Sequence, residues 1–260
     1  MKNLKELLKE IKIDLTSLAL IPSSGSGGPD SGLEIKPKTF LRFAKKDLNE
    51  GSQRGLINAL SNAKRAIDCQ IDEALIIFGI DHDNLPKELE EFITYFKFEG
   101  DIPYKLKIIQ SLNLAPSYIT AKTRLLRNKL EHYYQIPKKE SVKEAIDIAE
   151  LFIRSIEGKI KMIPDEFDVT DEKNQIDTYE YESGISIRFK IKNKLFELRA
   201  KKDKKIIGQV NVSAKDSEYF GLLRLINSIE DEFECEESMK CIISLIKHPM
   251  PLEKLKLILE

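Results

Sequence analysis

ISIRFKIKNKLFELRA, residues 185–200, decides the fold class, because here the chain stops repeating every three to four residues and starts repeating every two. Ile185, Ile187, Phe189 and Ile191 alternate with Ser186, Arg188 and Lys190, the pattern of a strand with one buried face. The alternation continues in KLFELRA (194–200) and, after KKDKK, in KIIGQVNV (205–212). Three such runs joined by short polar turns predict an antiparallel meander. Helices are expected to return at 216–229 and 237–247, so residues 161–260 read as a small α+β domain with an antiparallel sheet.

Upstream of Ile163-Pro164 the period is helical. Leu4, Leu8, Ile11, Leu15 and Leu18 form the stripe of an amphipathic helix. SSGSGGPDSG, residues 23–32, is a flexible loop by composition. Gly27 and Gly32 have the first half of a phosphate-loop spacing, but Leu33 and Glu34 stand where Lys and Ser/Thr are required, so that reading fails. Two helices broken near Gly51 follow over 38–80, then shorter ones at 87–98 and 103–113. Asp81, His82 and Asp83 sit in a turn, where Asp and Asn are explained by turn chemistry without a metal. Ser117 is the expected N-cap of a helix ending at Pro137, and Ser141 with Glu144 is a capping box opening the next. The expected organisation is thus a helical domain over 1–160 and the α+β domain over 161–260.

Composition bounds the function. A chain of 260 residues, 42% hydrophobic and 33% charged, can bury one large core or two modest ones. A formal net charge of -1 means that nucleic-acid affinity must come from a local basic surface. Cys69, Cys235 and Cys241 are scattered, without a C-x-x-C pair, which points to reduced thiols and a cytoplasmic location. Glu6, Glu10 and Asp14 interrupt the N-terminal leucines, so no signal peptide or membrane-spanning segment is expected.

The chemistry-bearing stretch is RNKLEHYYQIP, residues 127–137. On a helical wheel its apolar arc holds Tyr118, Ile119, Leu125, Leu126, Leu130 and Tyr133. Asn128 and His132 are four apart and share a face, as do Arg127 and Tyr134, seven apart. Arg127 and His132 diverge by about 140° around the axis, so one helix alone does not bring them together. Two copies facing across a two-fold axis would, which predicts a homodimer. The alternative at this point is an exposed Arg, an exposed Asn and a core-edge His.

RNKLEH resembles the Arg-x4-His signature of the HEPN family, with Asn128 as the polar residue after the Arg and HYY matching the His-x-Tyr ending of HEPN toxins. The resemblance covers residues ~35–160 and implies a mainly α fold, a HEPN-like antiparallel helical bundle preceding the α+β domain. It further implies a metal-independent endoribonuclease with no cofactor, a toxin or antiviral-defence effector whose site forms at a dimer interface. The 2′-hydroxyl of RNA attacks its own 3′ phosphorus, needing a base, an acid and positive charge. His132 would transfer protons, Arg127 would hold the phosphate, and Asn128 would orient the ring or donate to the phosphate. Tyr134 stands where related toxins are modified by a nucleotidyltransferase antitoxin, so RNA, a second copy and such an antitoxin are the expected partners. The alternative function is a non-catalytic HEPN-type module binding nucleic acid, nucleotide or protein.

Two further charged stretches stand out. Arg188, Lys190, Lys192, Arg199, Lys201, Lys202, Lys204 and Lys205 offer a basic face for RNA or simply a solvated sheet face. EDEFECEE, residues 230–237, offers a shield for it, a divalent-cation site or plain solvent exposure.

Overall fold

The computed structural model describes residues 3–22, 30–98, 100–116, 135–177 and 179–259. Among them are eight α-helices and one six-stranded mixed sheet, an α+β fold. The expectation of a mainly α chain is therefore corrected. The chain forms two compact units that interleave in sequence. One comprises Met1–Pro29, Phe78–Lys97 and Lys161–Glu260, and the other Asp30–Ile77 and Phe98–Ile160.

The N-terminus carries the first reason for the correction. Helix α1 (Leu4–Ile11) is capped by Asn3, whose side chain accepts from the Glu6 amide, and it ends at Lys12 in the left-handed conformation. Asp14 then accepts from both the amide and the hydroxyl of Thr16, fixing a turn. Leu18, expected at the end of the helical stripe, instead opens strand β1 (Leu18–Pro22). Leu18, Ala19, Leu20 and Ile21 are all buried. A continuous short apolar run fits a strand paired on both sides as well as it fits a helix, so periodicity does not separate the two.

The partners of β1 are far away in sequence. It runs antiparallel to β2 (Glu166–Asp171) and parallel to β6 (Leu257–Leu259). Strands β3 (Gly184–Lys190), β4 (Leu195–Lys202) and β5 (Lys205–Ser213) continue the sheet as antiparallel neighbours in the order β5-β4-β3-β2-β1-β6. The parallel β1–β6 pair is what makes the sheet mixed rather than antiparallel throughout.

The buried face of the sheet is the alternating set predicted for a strand: Ile185, Ile187 and Phe189 on β3, and Phe196, Leu198 and Ala200 on β4. Over it lie α7 (Ser217–Ile226) and α8 (Glu232–Leu245), and α4 (Lys87–Thr94) packs on these two helices. Tyr219 of α7 sets its ring edge-on to Phe196 and Phe220, and Phe78 packs on Phe189. The Tyr219 hydroxyl donates to the Phe78 carbonyl at 2.7 Å, joining chain segments 141 residues apart. Gly221 lets α7 approach α8, since a Cβ there would stand 2.7 Å from Ile242 Cγ1. Each large apolar side chain so buried contributes about 1.5–3 kcal/mol.

The other unit is helical among its described residues: α2 (Pro37–Asn49), α3 (Gln53–Ile77), α5 (Tyr104–Ser111) and α6 (Lys139–Lys161). Gly51, with φ 70°, occupies the break between α2 and α3. Helix α6 begins at Lys139, two residues before the expected Ser141 cap, immediately after Pro137 and Lys138. It buries Val142, Ala145, Ile146, Ala149, Phe152, Ile153, Ile156 and Ile160, a stripe at helical spacing. Lys38 pairs with Glu157 and Lys45 with Glu150, so ascending numbers on α2 meet descending numbers on α6 and the two helices are antiparallel.

Candidate functional site

Arg127, Asn128, His132 and Tyr134 all fall in residues 117–134, outside the described residues. What is described is the frame around them. On the N-terminal side, Leu112, Leu114 and Ala115 are buried, and the Leu114 carbonyl accepts from Ser155 Oγ at 3.1 Å. The Asn113 carbonyl accepts from Lys159 Nζ. On the C-terminal side the chain resumes at Gln135 and enters α6 four residues later. The two flanks of the motif are thus held at opposite ends of one helix.

Beside this frame, α2 and α6 enclose a groove of about 360 Å³ with Leu41 and Ile153 as its apolar floor and Lys38, Arg42, Lys45 and Arg154 around it. Glu150 bridges Lys45 and Arg154, each at 2.5 Å. The hydrogen bond from Lys45, the nearby positive charges and that from Arg154 hold its carboxyl below the ordinary glutamate value despite some desolvation. Arg42 has no ion-pair partner among the described residues. These are surface pairs, worth about 0–1 kcal/mol each. A second cleft, about 460 Å³, lies between α2 and α3, where Asn62 donates to Asp47 at 2.7 Å and Arg65 to Asn62 at 3.3 Å.

Of the eight basic residues noted on the sheet, three pair with carboxylates among the described residues. Arg188 donates to Glu166 through Nε at 2.8 Å and through Nη2, and Arg199 pairs with Glu197 at 2.7 Å. Lys204 pairs with Glu180 at 3.0 Å, Lys202 donates to the Glu10 carbonyl, and the Lys201 ammonium stands 4.4 Å from the Tyr181 ring centre. The same face holds a polar cluster that sequence reasoning missed. The Tyr181 hydroxyl donates to Asp168 at 2.8 Å, and Ser186 donates to Glu166. Burial pushes the Asp168 carboxyl above its ordinary value, and Glu166 adds to this against the Tyr181 hydrogen bond. Burial acts upward on Glu166 too, but the Ser186 and Arg188 hydrogen bonds outweigh it and hold that group low. The alternation Phe167/Val169 against Glu166/Asp168 was the available signal, in a segment too short to stand out.

The remaining candidates resolve into structural roles. Asp81 accepts from the amides of Asp83 and Asn84, and these bonds lower its carboxyl. The ligand atoms of Asp81, His82 and Asp83 lie within 4.8 Å of one another, but all three belong to this exposed turn, and its hydrogen bonds account for the carboxylates. The acidic run caps α8. Asp231 accepts from the Glu234 amide, Glu234 pairs with the buried Arg224 at 2.5 Å, and Glu236 and Glu237 pair with Lys240. Among the described residues none of the three cysteines is in a disulfide. Burial, with Glu73 and Asp72 nearby, pushes the Cys69 thiol up to about 11, and burial pushes Cys241 up to about 12, so neither is a ready nucleophile near neutrality. No helix among the described residues is long and apolar enough to cross a membrane.

No family model, curated protein or solved structure matches this chain. The HEPN resemblance therefore rests on the motif and its sequence context.

Proposed function

We propose that the chain is a metal-independent endoribonuclease of HEPN type, acting as a toxin or antiviral-defence effector, with RNA as substrate and a two-fold site composed of Arg127, Asn128 and His132. The observation that carries the reading is the spacing RNKLEH, with Tyr134 behind it, between Pro116 and Pro137. In the reaction, the imidazole takes the 2′-hydroxyl proton or protonates the departing 5′ oxygen, the guanidinium neutralises the phosphorane oxygens, and the Asn128 amide orients one or the other.

The described frame supports the reading in one respect. A helix through residues 117–134 requires its flanks to stand about 27 Å apart at 1.5 Å per residue. The anchors at Ser155 and Lys159 lie sixteen to twenty residues along α6 from its first residue, about 24–30 Å.

The test is incubation of the full chain with RNA in EDTA. Cleavage leaving 2′,3′-cyclic phosphate ends, lost by a hundredfold or more in His132→Ala and in Arg127→Ala, is expected. Absence of cleavage at any pH from 5 to 9, or cleavage that His132→Ala leaves intact, overturns the proposal.

A further inference from the structure

Where α1 ends and the chain turns toward β1, the unit containing the sheet holds a cavity of about 390 Å³, lined also by the segment that follows α8. Its size falls in the range of small-molecule pockets, about 300–1,000 Å³. Lys9, Lys12 and Lys254 line it, all three exposed, and none has an ion-pair or side-chain hydrogen-bond partner among the described residues. The α2–α6 groove differs in this respect, because Glu157 and Glu150 already pair with its Lys38 and Lys45. The one carboxylate among the residues lining the cavity is committed elsewhere. Asp14 Oδ1 accepts from the amide and the hydroxyl of Thr16, and Oδ2 accepts from Lys173 at 2.9 Å, bonds that hold it well below the ordinary carboxylate range. Three like charges around one concave surface focus the potential there and concentrate a counter-anion.

His248 adds a neutral donor. Its Nδ1 accepts from the Met250 amide at 3.3 Å, which leaves the ring proton on Nε2, and Nε2 has no partner among the described residues. Burial and the nearby Lys5 ammonium lower this imidazole below the ordinary histidine value, so it meets a ligand as an N–H donor rather than as a cation. Ile13, Leu15 and Met250 supply apolar surface beside the cations, and the Met250 thioether suits the edge of an aromatic ring. A bare inorganic anion leaves that surface unused, and a hydrocarbon leaves the lysines unused. We propose that the cavity binds a nucleoside diphosphate, its phosphates held by Lys9, Lys12, Lys254 and His248 and its base laid on Ile13, Leu15 and Met250. Two phosphates carry about three charges near neutrality, which matches three ammonium groups. Helix α1 presents its carbonyl end here, so the cations and not the helix dipole hold the anion, and binding falls as salt rises. The site does not rest on the ribonuclease reading.

Calorimetric titration of the full chain with ADP, in EDTA and about 50 mM salt, is expected to show one site with a dissociation constant of about 100 μM or tighter. Inorganic pyrophosphate and isopentenyl diphosphate, which carry the charge without the base, should bind about tenfold more weakly, and adenosine should not bind. Lys9→Ala combined with Lys254→Ala raises the ADP constant about tenfold or more, whereas Lys143→Ala on α6 leaves it unchanged. Met250→Ser weakens ADP and leaves pyrophosphate as it was. The imidazole resonance of His248 moves as ADP is added, and that of His82 stays in place. No binding of ADP up to about 1 mM, ADP held no more tightly than either diphosphate lacking the base, or a Lys9/Lys254 double variant that binds ADP like the parent overturns the proposal. An RNA oligonucleotide bound through the same lysines more tightly than ADP overturns it as well. ADP titrated into His132→Ala should bind as in the parent, and loss of binding there places ADP at the other site and also refutes the proposal. RNA cleavage is scored separately, so failure of either reading leaves the other interpretable.

Discussion

Removing a single oxygen tests how the unit containing the sheet is held together. In Tyr219→Phe the ring keeps its packing against Phe196 and Phe220, both with centroids 5.5 Å away, and only the hydroxyl is lost. That hydroxyl is the donor to the Phe78 carbonyl at 2.7 Å, and both residues have 0% exposure, so water does not replace it. Stranding a buried carbonyl costs about 1–3 kcal/mol, with almost no hydrophobic term to offset it. Because the chain has no tryptophan and two compact units, a global unfolding signal would average over both. Hydrogen exchange in peptides from β3 and β4 is the sharper assay. Their opening free energy should fall by about 1–3 kcal/mol, an acceleration of roughly 5- to 150-fold, while peptides from α3 and α6 exchange unchanged. A change below about 0.5 kcal/mol in β3 and β4, or an equal change in α3, would refute the idea that this bond ties the segment after α3 onto the sheet.

Asp168 makes a pH prediction of opposite sign to its neighbour. Its folded carboxyl is raised above 3.8 chiefly by burial, so the folded state holds the proton more tightly and loses stability as pH rises through that window. Asp168→Asn, which still accepts from Tyr181, should remove this loss and stabilise the protein at pH 7, measured by urea unfolding at pH 4 and 7. Glu166, held below 4.5 by Ser186 and Arg188 against its own burial, contributes stability that is lost as pH falls, and Glu166→Gln should flatten the acid limb of the same profile. Gly221→Ala drives a methyl to within 2.7 Å of Ile242 Cγ1 between α7 and α8, and a loss of about 1–3 kcal/mol is expected by urea unfolding, whereas Gly158→Ala, with open space around it, should be neutral or stabilising.

Local chemistry was legible wherever neighbours in sequence are also neighbours in space. The alternation of Ile185, Ile187 and Phe189 marks a strand because every second side chain enters the core, and Gly51 marks a helix break because its backbone is left-handed. The motif over 127–134 lies outside the described residues. Long-range partnership was not legible. Leu18–Ile21 became a strand because β6, more than two hundred residues later, and β2 fill its hydrogen bonds on both sides, and nothing within the run itself announces that. The basic residues of β3 and β4 read either as an RNA face or as a solvated sheet face, and the sequence did not show that Glu166 and Glu197 stand beside Arg188 and Arg199. Side-chain period and turn chemistry are written residue by residue, so the sequence by itself determined the local elements. Hydrogen-bond pairing, charge neutralisation and the burial that raises Asp168 depend on which distant segments share a surface, and only the tertiary structure decided those.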